Sequence, residues 1–394
     1  MLVEDDRRNR LSARKSHAPL IVDVADTLAG IEPQEWNRLA GDDPFLRHEF
    51  LAALHETGCA APKAGWTPQY LLLREHGRLT AAMPLYVKTH SYGEYVFDWA
   101  WADAYYRHGL HYYPKLLAAV PFTPVTGARL LGASQEQRDV LIRAALKFAR
   151  DAEVSSLHCL FPLREEAQSM QSHGMMLRQA VQFHWSNAGY ENFDHFLAGM
   201  SHDKRKKVKQ ERRRVHEAGL TFRRVEGAEI THADLTFVAR CYRQTYRVHG
   251  STPYLNLEFF ERVGRTMPQH LLLAIAERDR RPVAVSFNVH NGKRMCGRYW
   301  GCTEYHPGLH FETCYYQTIE HCIERGIEVF EGGARGEHKL ARGLAPSETV
   351  SAHWLAHPQF AAAIEQFLAR EKRGVAEYVD ELNDRSPFKD TTDK

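Results

Sequence analysis

Pro68-Gln69-Tyr70-Leu71-Leu72-Leu73 returns in the second half of the chain as Pro268-Gln269-His270-Leu271-Leu272-Leu273. Farther on, Tyr106-Arg107-His108-Gly109-Leu110-His111-Tyr112 is matched by Tyr305-His306-Pro307-Gly308-Leu309-His310-Phe311 at nearly the same spacing. Trp101 and Trp300 fall on that register too. Two blocks in one order point to an internal duplication. The secondary-structure signals around them run in parallel. A helical stretch opens each half, Glu35 to Thr57 and Ala233 to Met267. Extended runs follow, Leu71 to Leu73, a turn at His76-Gly77 and then Ala81 to Lys88. Their counterparts are Leu271 to Ala276, a turn at Asp279-Arg280-Arg281 and Val283 to Val289. Each half then shows a helix, Glu136 to Ala152 or Glu312 to Gly326, and a buried-looking strand, Val154 to Phe161 or Ile327 to Glu331.

Strands that hairpin early and acquire helix crossovers late predict a mixed sheet with helices on both faces, an α/β (α+β) fold. The order fits an acetyltransferase-like (GNAT) module present twice in tandem, although a fold alone fixes no chemistry. The expected boundaries are a tail over 1–18, one GNAT-like domain over 19–190, a second over 191–365, and a C-terminal helix and tail over 366–394. A length of 394 residues suits two domains, and 44% hydrophobic with 25% charged residues suits packed cores. The net charge of +2 is too small to define a partner, so electrostatics must be read locally. The seven cysteines include no CxxC pair and read as reduced thiols. The N-terminal stretch lacks the apolar core of a secretory signal, and no run is long enough for a membrane helix; the expectation is a cytoplasmic protein without membrane insertion.

Residues 204–214, Lys-Arg-Lys-Lys-Val-Lys-Gln-Glu-Arg-Arg-Arg, set eight cations against Glu211 alone. With Ser201 or Asp203 as a start and Gly219 as a stop, they predict a basic helix over 201–218. Such self-repulsion is relieved by an anionic partner, namely a nucleotide pyrophosphate, a coenzyme A phosphate or an RNA backbone. Lys206, Lys207 and Lys209, with Gly308, are the candidate donor-phosphate contacts; a solvated helix face without a partner is the alternative.

Three stretches carry a family resemblance: Phe97 to Gly127, the basic run Asp203 to Val215, and Phe330-Glu331-Gly332-Gly333-Ala334-Arg335-Gly336-Glu337-His338-Lys339. Together they resemble the FemAB-like family of bacterial N-acyltransferases over about residues 20–385. The wider likeness is to the Fem peptidyltransferases, which are similar in having two GNAT-like halves. The resemblance implies acyl or aminoacyl transfer to a small-molecule or peptide amine. The co-substrate would be acyl-CoA or aminoacyl-tRNA, with tRNA a possible partner and no permanently bound cofactor. Two features depart from the pattern. Sustained heptads for a coiled-coil arm are lacking, and neither half has a clean pyrophosphate loop; the nearest stretches are Pro124 to Gly127 and His306 to His310. A GNAT-fold protein without activity, docking RNA or another anion, is the alternative.

Transfer to an amine needs a proton acceptor and donors for a tetrahedral oxyanion. His310 and Glu312, at a strand–helix junction, are catalytic candidates, with His111 matching His310 in the first half. Glu331 is the third, since the apolar run before it predicts burial and a raised pKa. Arg335, His338 and Lys339 stand on the glycine-rich turn as substrate contacts, or else as ordinary loop charges. Asp98, Trp99, Trp101, Asp103, Tyr105 and Tyr106 either line a groove for an amine or form a packed strand. No GxSxG, GxxxxGK[ST], strand-linked GxGxxG or HExxH occurs, so those chemistries have no support and no metal site is assigned.

Overall fold

A computed structural model of the protein describes residues 21–334 and 336–389. The expected 1–18 tail and Arg335 lie outside the described residues. The first half runs β1 (Ile21–Ala25), α1 (Pro33–Ala40), α2 (His48–Glu56), β2 (Trp66–Pro68), β3 (Tyr70–Glu75), β4 (Arg78–Met83) and β5 (Leu85–Lys88). It continues through α3 (Trp99–Arg107), β6 (Lys115–Ala118), α4 (Gln135–Asp151), β7 (Ser156–Leu160), α5 (Arg164–Ser172) and β8 (Met176–Ser186). Next come α6 (Phe193–Ala198), α7 (His202–Glu217), β9 (Leu220–Glu226), α8 (His232–Val248) and α9 (Leu257–Thr266). Strands β10 (Leu271–Arg278), β11 (Arg281–His290) and β12 (Arg294–Cys302) precede the short α10 (Leu309–Phe311), which passes through a π turn at Glu312–Tyr316 into α11 (Gln317–Arg325). The chain ends with β13 (Val329–Glu331), β14 (Ala345–Leu355) and α12 (Pro358–Asp384). Among the described residues no helix is long and apolar enough to cross a membrane.

The duplication is visible in the sheets. Strands β1, β3 and β4 pair in the order β1-β3-β4, and β9, β10 and β11 pair in the order β9-β10-β11, with two helices between the first and second strand each time. Both hairpins turn on two residues of positive φ, His76-Gly77 (51° and 79°) and Asp279-Arg280 (52° and 62°), the twist that tight antiparallel pairs require. The Pro68 and Pro268 blocks enter these equivalent hairpins.

The second sequence block does not superpose in this way, which corrects that part of the repeat. Gly109 follows helix α3 and precedes β6, whereas Gly308 follows β12 and starts α10. Trp101 is helical and Trp300 is in a strand. The reason is an insertion: residues 89–114 separate β5 from β6, while β11 and β12 are joined by a tight turn in which the Asn291 side chain accepts from the Lys293 and Arg294 amides. The dense aromatic and acidic stretch 98–106, read as a groove lining or a packed strand, is instead largely the helix Trp99–Arg107; three alanines keep helix propensity high.

Eleven strands form one continuous sheet, β2-β5-β6-β7-β14-β8-β13-β12-β11-β10-β9. Strand β14, late in the chain, lies between β7 and β8 and is antiparallel to both. Strand β8 in turn pairs with β13. Between the helices, Phe50 of α2 meets Phe259 of α9 edge-on at 5.6 Å, and the Asn256 side chain donates to the Thr57 carbonyl at 2.8 Å. Strand β12 is overlaid closely by α8. A Cβ on Gly301 would stand 2.3 Å from the Cys241 carbonyl oxygen, and the Thr245 hydroxyl donates to the Trp300 carbonyl at 2.8 Å. Gly301→Ala therefore must push helix from sheet. We expect a loss of about 1–3 kcal/mol in urea unfolding, and an unchanged midpoint would contradict this packing.

Candidate functional site

Parallel strands β12 and β13 pair only through Arg294↔Val329, Met295↔Phe330 and Cys296↔Glu331. Beyond that point they part, because β13 gives way to Gly332-Gly333, and Gly333 has φ 89°. Among the described residues the edge of β12 past Cys296 has no strand partner on that side, and a cavity of about 310 Å³ opens there. Its walls include Gly297 to Trp300, Phe330, Gly332 to Ala334, and the tyrosines Tyr95, Tyr242 and Tyr246. Pairing across β11 and β12 slips between Phe287↔Tyr299 and Asn288↔Gly297, so Arg298 is the extra residue of a β-bulge.

His310, His338 and Lys339 also line the cavity. His310 lies 5.0 Å from the Trp300 ring, centroid to centroid, and burial pushes its pKa down to about 4, helped by the nearby cations. The His338 Nε2 is 3.0 Å from the Tyr315 hydroxyl. Burial likewise lowers the His338 pKa, so both imidazoles stand neutral near pH 7. Lys339 is buried, donates to the Gly333 carbonyl at 2.7 Å, and is depressed to about 8 by desolvation. Among the described residues, none that lines this cavity is acidic.

A second cavity of about 330 Å³ lies against β8, β14 and α12, and Tyr95 and Ala334 line both. Tyr95 has φ 64°, a conformation that a side-chain-bearing residue adopts at a cost of order 1 kcal/mol.

The structure brings His310, His338 and Lys339 together and sets the other predicted residues among those described elsewhere. Glu331 is buried with its pKa raised by desolvation to about 7, but the carboxylate lies off the cavity. Adjacent strand residues point oppositely, so Phe330 faces the opening while Glu331 meets Arg294 at 3.3 Å. Glu312 is fully buried and held by the Arg212 guanidinium at 3.0 Å and by Gln317 at 2.8 Å. Both acids, expected as catalytic candidates, are engaged in buried ion pairs off the cavity.

Helix α7 is fastened by its inward residues. Arg212 also reaches Glu320 at 3.1 Å, and Glu211 pairs with Arg342 at 2.7 Å. Lys206, Lys207 and Lys209 are exposed on the outer face, with Lys209 near Asp194 at 3.1 Å, and line none of the described cavities. Gly308 has φ 85° and packs against Val215 of α7.

The aromatic-acid block disperses. Asp98 is buried, where Lys115 bonds it together with Ser91 and Glu94 at 2.8 Å each. Those contacts hold the Asp98 carboxyl below its ordinary range against the pull of burial. Tyr112 donates to Asp98 at 2.7 Å and meets His158 at 3.0 Å, and His158 meets His353 at 2.7 Å. Trp101 packs on His353 and Tyr105 on Phe360, whereas Trp99 is partly exposed and Tyr106 fully so. Asp103 makes an exposed pair with Arg107 at 2.9 Å. His111 is exposed ahead of β6, away from any role matching His310. Arg298 and the tyrosines around it were not singled out by the sequence; Gly297, a glycine within a strand pattern, was the available sign of a bulge.

The model of the FemAB-like family, described as peptidoglycan biosynthesis/recognition, matches residues 27–390. Curated proteins offer no match to the sequence. Among solved structures, FemX superposes with a TM-score of 0.54 over 85% of this chain and 98% of its own, at 11% identity. A DUF2156 domain from Agrobacterium fabrum gives 0.52 over 84% and 94%, at 12% identity. L-PGS from Bacillus licheniformis gives 0.50 over 83% and 97%, at 11% identity. At such identities the likeness is one of fold.

The Arg212–Glu312 pair makes a specific demand. Arg212→Leu would leave a buried carboxylate without its cation and is expected to cost about 3–5 kcal/mol. The double variant Arg212→Leu/Glu312→Leu should recover most of that loss. Equal stability of the single and double variants in chemical denaturation would refute the anchoring role.

Proposed function

The chain belongs to the FemAB-like family, and from that premise we propose that it transfers an acyl or aminoacyl group to an amine in the cavity between β12 and β13. The observation that carries the reading is the parting of these parallel strands, which exposes backbone donors beside two neutral histidines. The amine nitrogen attacks the donor carbonyl carbon, and negative charge develops on the carbonyl oxygen. Backbone N–H groups on the free edge of β12 stabilise that charge, because they are fixed in place before it forms. The nitrogen must shed a proton, and neutral His338 takes it. The Tyr315 hydroxyl, bonded to His338, returns a proton to the leaving group. His310 and Lys339 hold the substrate against the Trp300 wall. No covalent enzyme intermediate is needed when both reactants are held in register.

The acceptor approaches through the cavity along β8 and β14, passing Tyr95 and Ala334. The donor is acyl-CoA or aminoacyl-tRNA. The exposed lysines of α7 are the contacts for its phosphates.

Thermal unfolding with acetyl-CoA, longer acyl-CoAs and aminoacyl-tRNA tests this directly. A true donor present at about 100 times its Kd adds roughly 2.7 kcal/mol to folding stability, and no shift with any of them would count against the reading. With the donor known, His338→Ala should lower kcat by roughly 10²–10⁴ while leaving donor binding intact. Replacing Lys206, Lys207 and Lys209 by Ala should flatten the salt dependence of tRNA binding by about two to three slope units; an unchanged slope would remove those lysines from the donor site.

A further inference from the structure

We propose that Arg298 seats a carboxylate of the substrate, so that the molecule acylated in the β12–β13 cavity is an amine that also carries a carboxylate. This deepens the transferase reading and rests on it for the word acylated, but not for the seat.

Four observations meet at Arg298. As the bulged residue of β12, it leaves the regular alternation of its strand and lines the cavity. Its guanidinium donates from Nη2 to the Phe122 carbonyl at 2.6 Å, hydrogen-bonds the Tyr299 side chain, and lies against the Tyr299 and Phe45 rings at 5.2 and 5.8 Å. None of the ion pairs among the described residues includes it. The carboxylate that feels its field, Glu331, is already engaged by Arg294 at 3.3 Å. Among the described residues the cavity walls thus carry two cations, Arg298 and Lys339, and no acid.

A half-buried guanidinium without a carboxylate is costly unless a ligand supplies one. Arginine's planar fork matches two carboxylate oxygens in parallel, which a tetrahedral group does less well. Tyrosine rings beside it suit the flat faces of a small organic acid, and a volume of about 310 Å³ suits one of that size. The same cations disfavour a bound ammonium. An amine anchored by its own carboxylate would therefore sit there in its neutral, nucleophilic form. Tyr95, whose field Arg298 also feels, stands where the two cavities adjoin, so the carboxylate seat lies on the path assigned to the acceptor.

Calorimetric titration of the whole chain with glutarate, its diamide glutaramide and inorganic phosphate tests the seat without any transfer reaction. Glutarate should bind, glutaramide should not, and phosphate should bind more weakly than glutarate. Arg298→Gln should weaken glutarate binding at least tenfold, with Arg298→Lys between it and the parent. Because Arg298→Gln also removes the donation to Phe122, its unliganded unfolding midpoint is measured alongside. Lys339→Met, which leaves that contact alone, should also weaken glutarate. Parent-like glutarate binding in Arg298→Gln or Arg298→Lys, tighter binding of phosphate, or equal binding of glutaramide would each overturn the proposal. Glutarate binding with no response to acyl-CoA or aminoacyl-tRNA would keep the seat and discard the transferase reading; the reverse would discard the seat alone.

Discussion

Strand β14 lies between β7 and β8, and this placement makes one sheet out of two copies of a module. Nine residue pairs join β14 to β8, and five join it to β7. Backbone donors in a buried sheet must be paired, so β7 and β8 are complete only with a strand from the far end of the chain between them. Strand β8 then pairs with β13, whose short length forces the early separation from β12. The cavity owes its position to this chain of pairings. It opens in the second half but is walled in part by Tyr95 of the first.

Buried charge is used in two ways around that opening. Arg212 with Glu312, and Arg294 with Glu331, are closed pairs that orient helices and strands. Arg294 also donates to the Thr126 carbonyl at 2.7 Å and lies 3.4 Å from Asp43, so it ties the two halves. Arg298, four residues along the same strand, has no such partner among the described residues. The contrast separates cations that complete the fold from one left for something else.

How much of this could be read beforehand depended on the range of the interactions involved. The hairpins at His76-Gly77 and Asp279-Arg280 were legible, because a two-residue turn between apolar runs is decided locally. Helix α7 was legible for the same reason, through its caps and its charge. The second repeat block misled because short aromatic-glycine stretches recur without common ancestry, and the 89–114 insertion gave one of them a place the other half lacks. Glu331 was expected to be buried and is, but burial does not say which face of a strand a side chain takes; the pleat turned it toward Arg294. Glu312 sat beside the expected junction, yet its partner, Arg212, is a hundred residues away in sequence. Arg298 went unnoticed because a bulge is a property of a pair of strands rather than of one.

The late position of β14 also bears on how the chain is made. During synthesis the first half emerges with β7 and β8 already formed as sequences, but the strand that belongs between them ends at Leu355. Until then the facing edges of β7 and β8 stand open with their N–H and C=O groups unpaired, the kind of edge that recruits stray strands. The N-terminal copy of the module therefore cannot mature on the ribosome by itself. Its final assembly waits until the chain has been made through Leu355, and a product stalled or clipped before that strand would be an aggregation hazard.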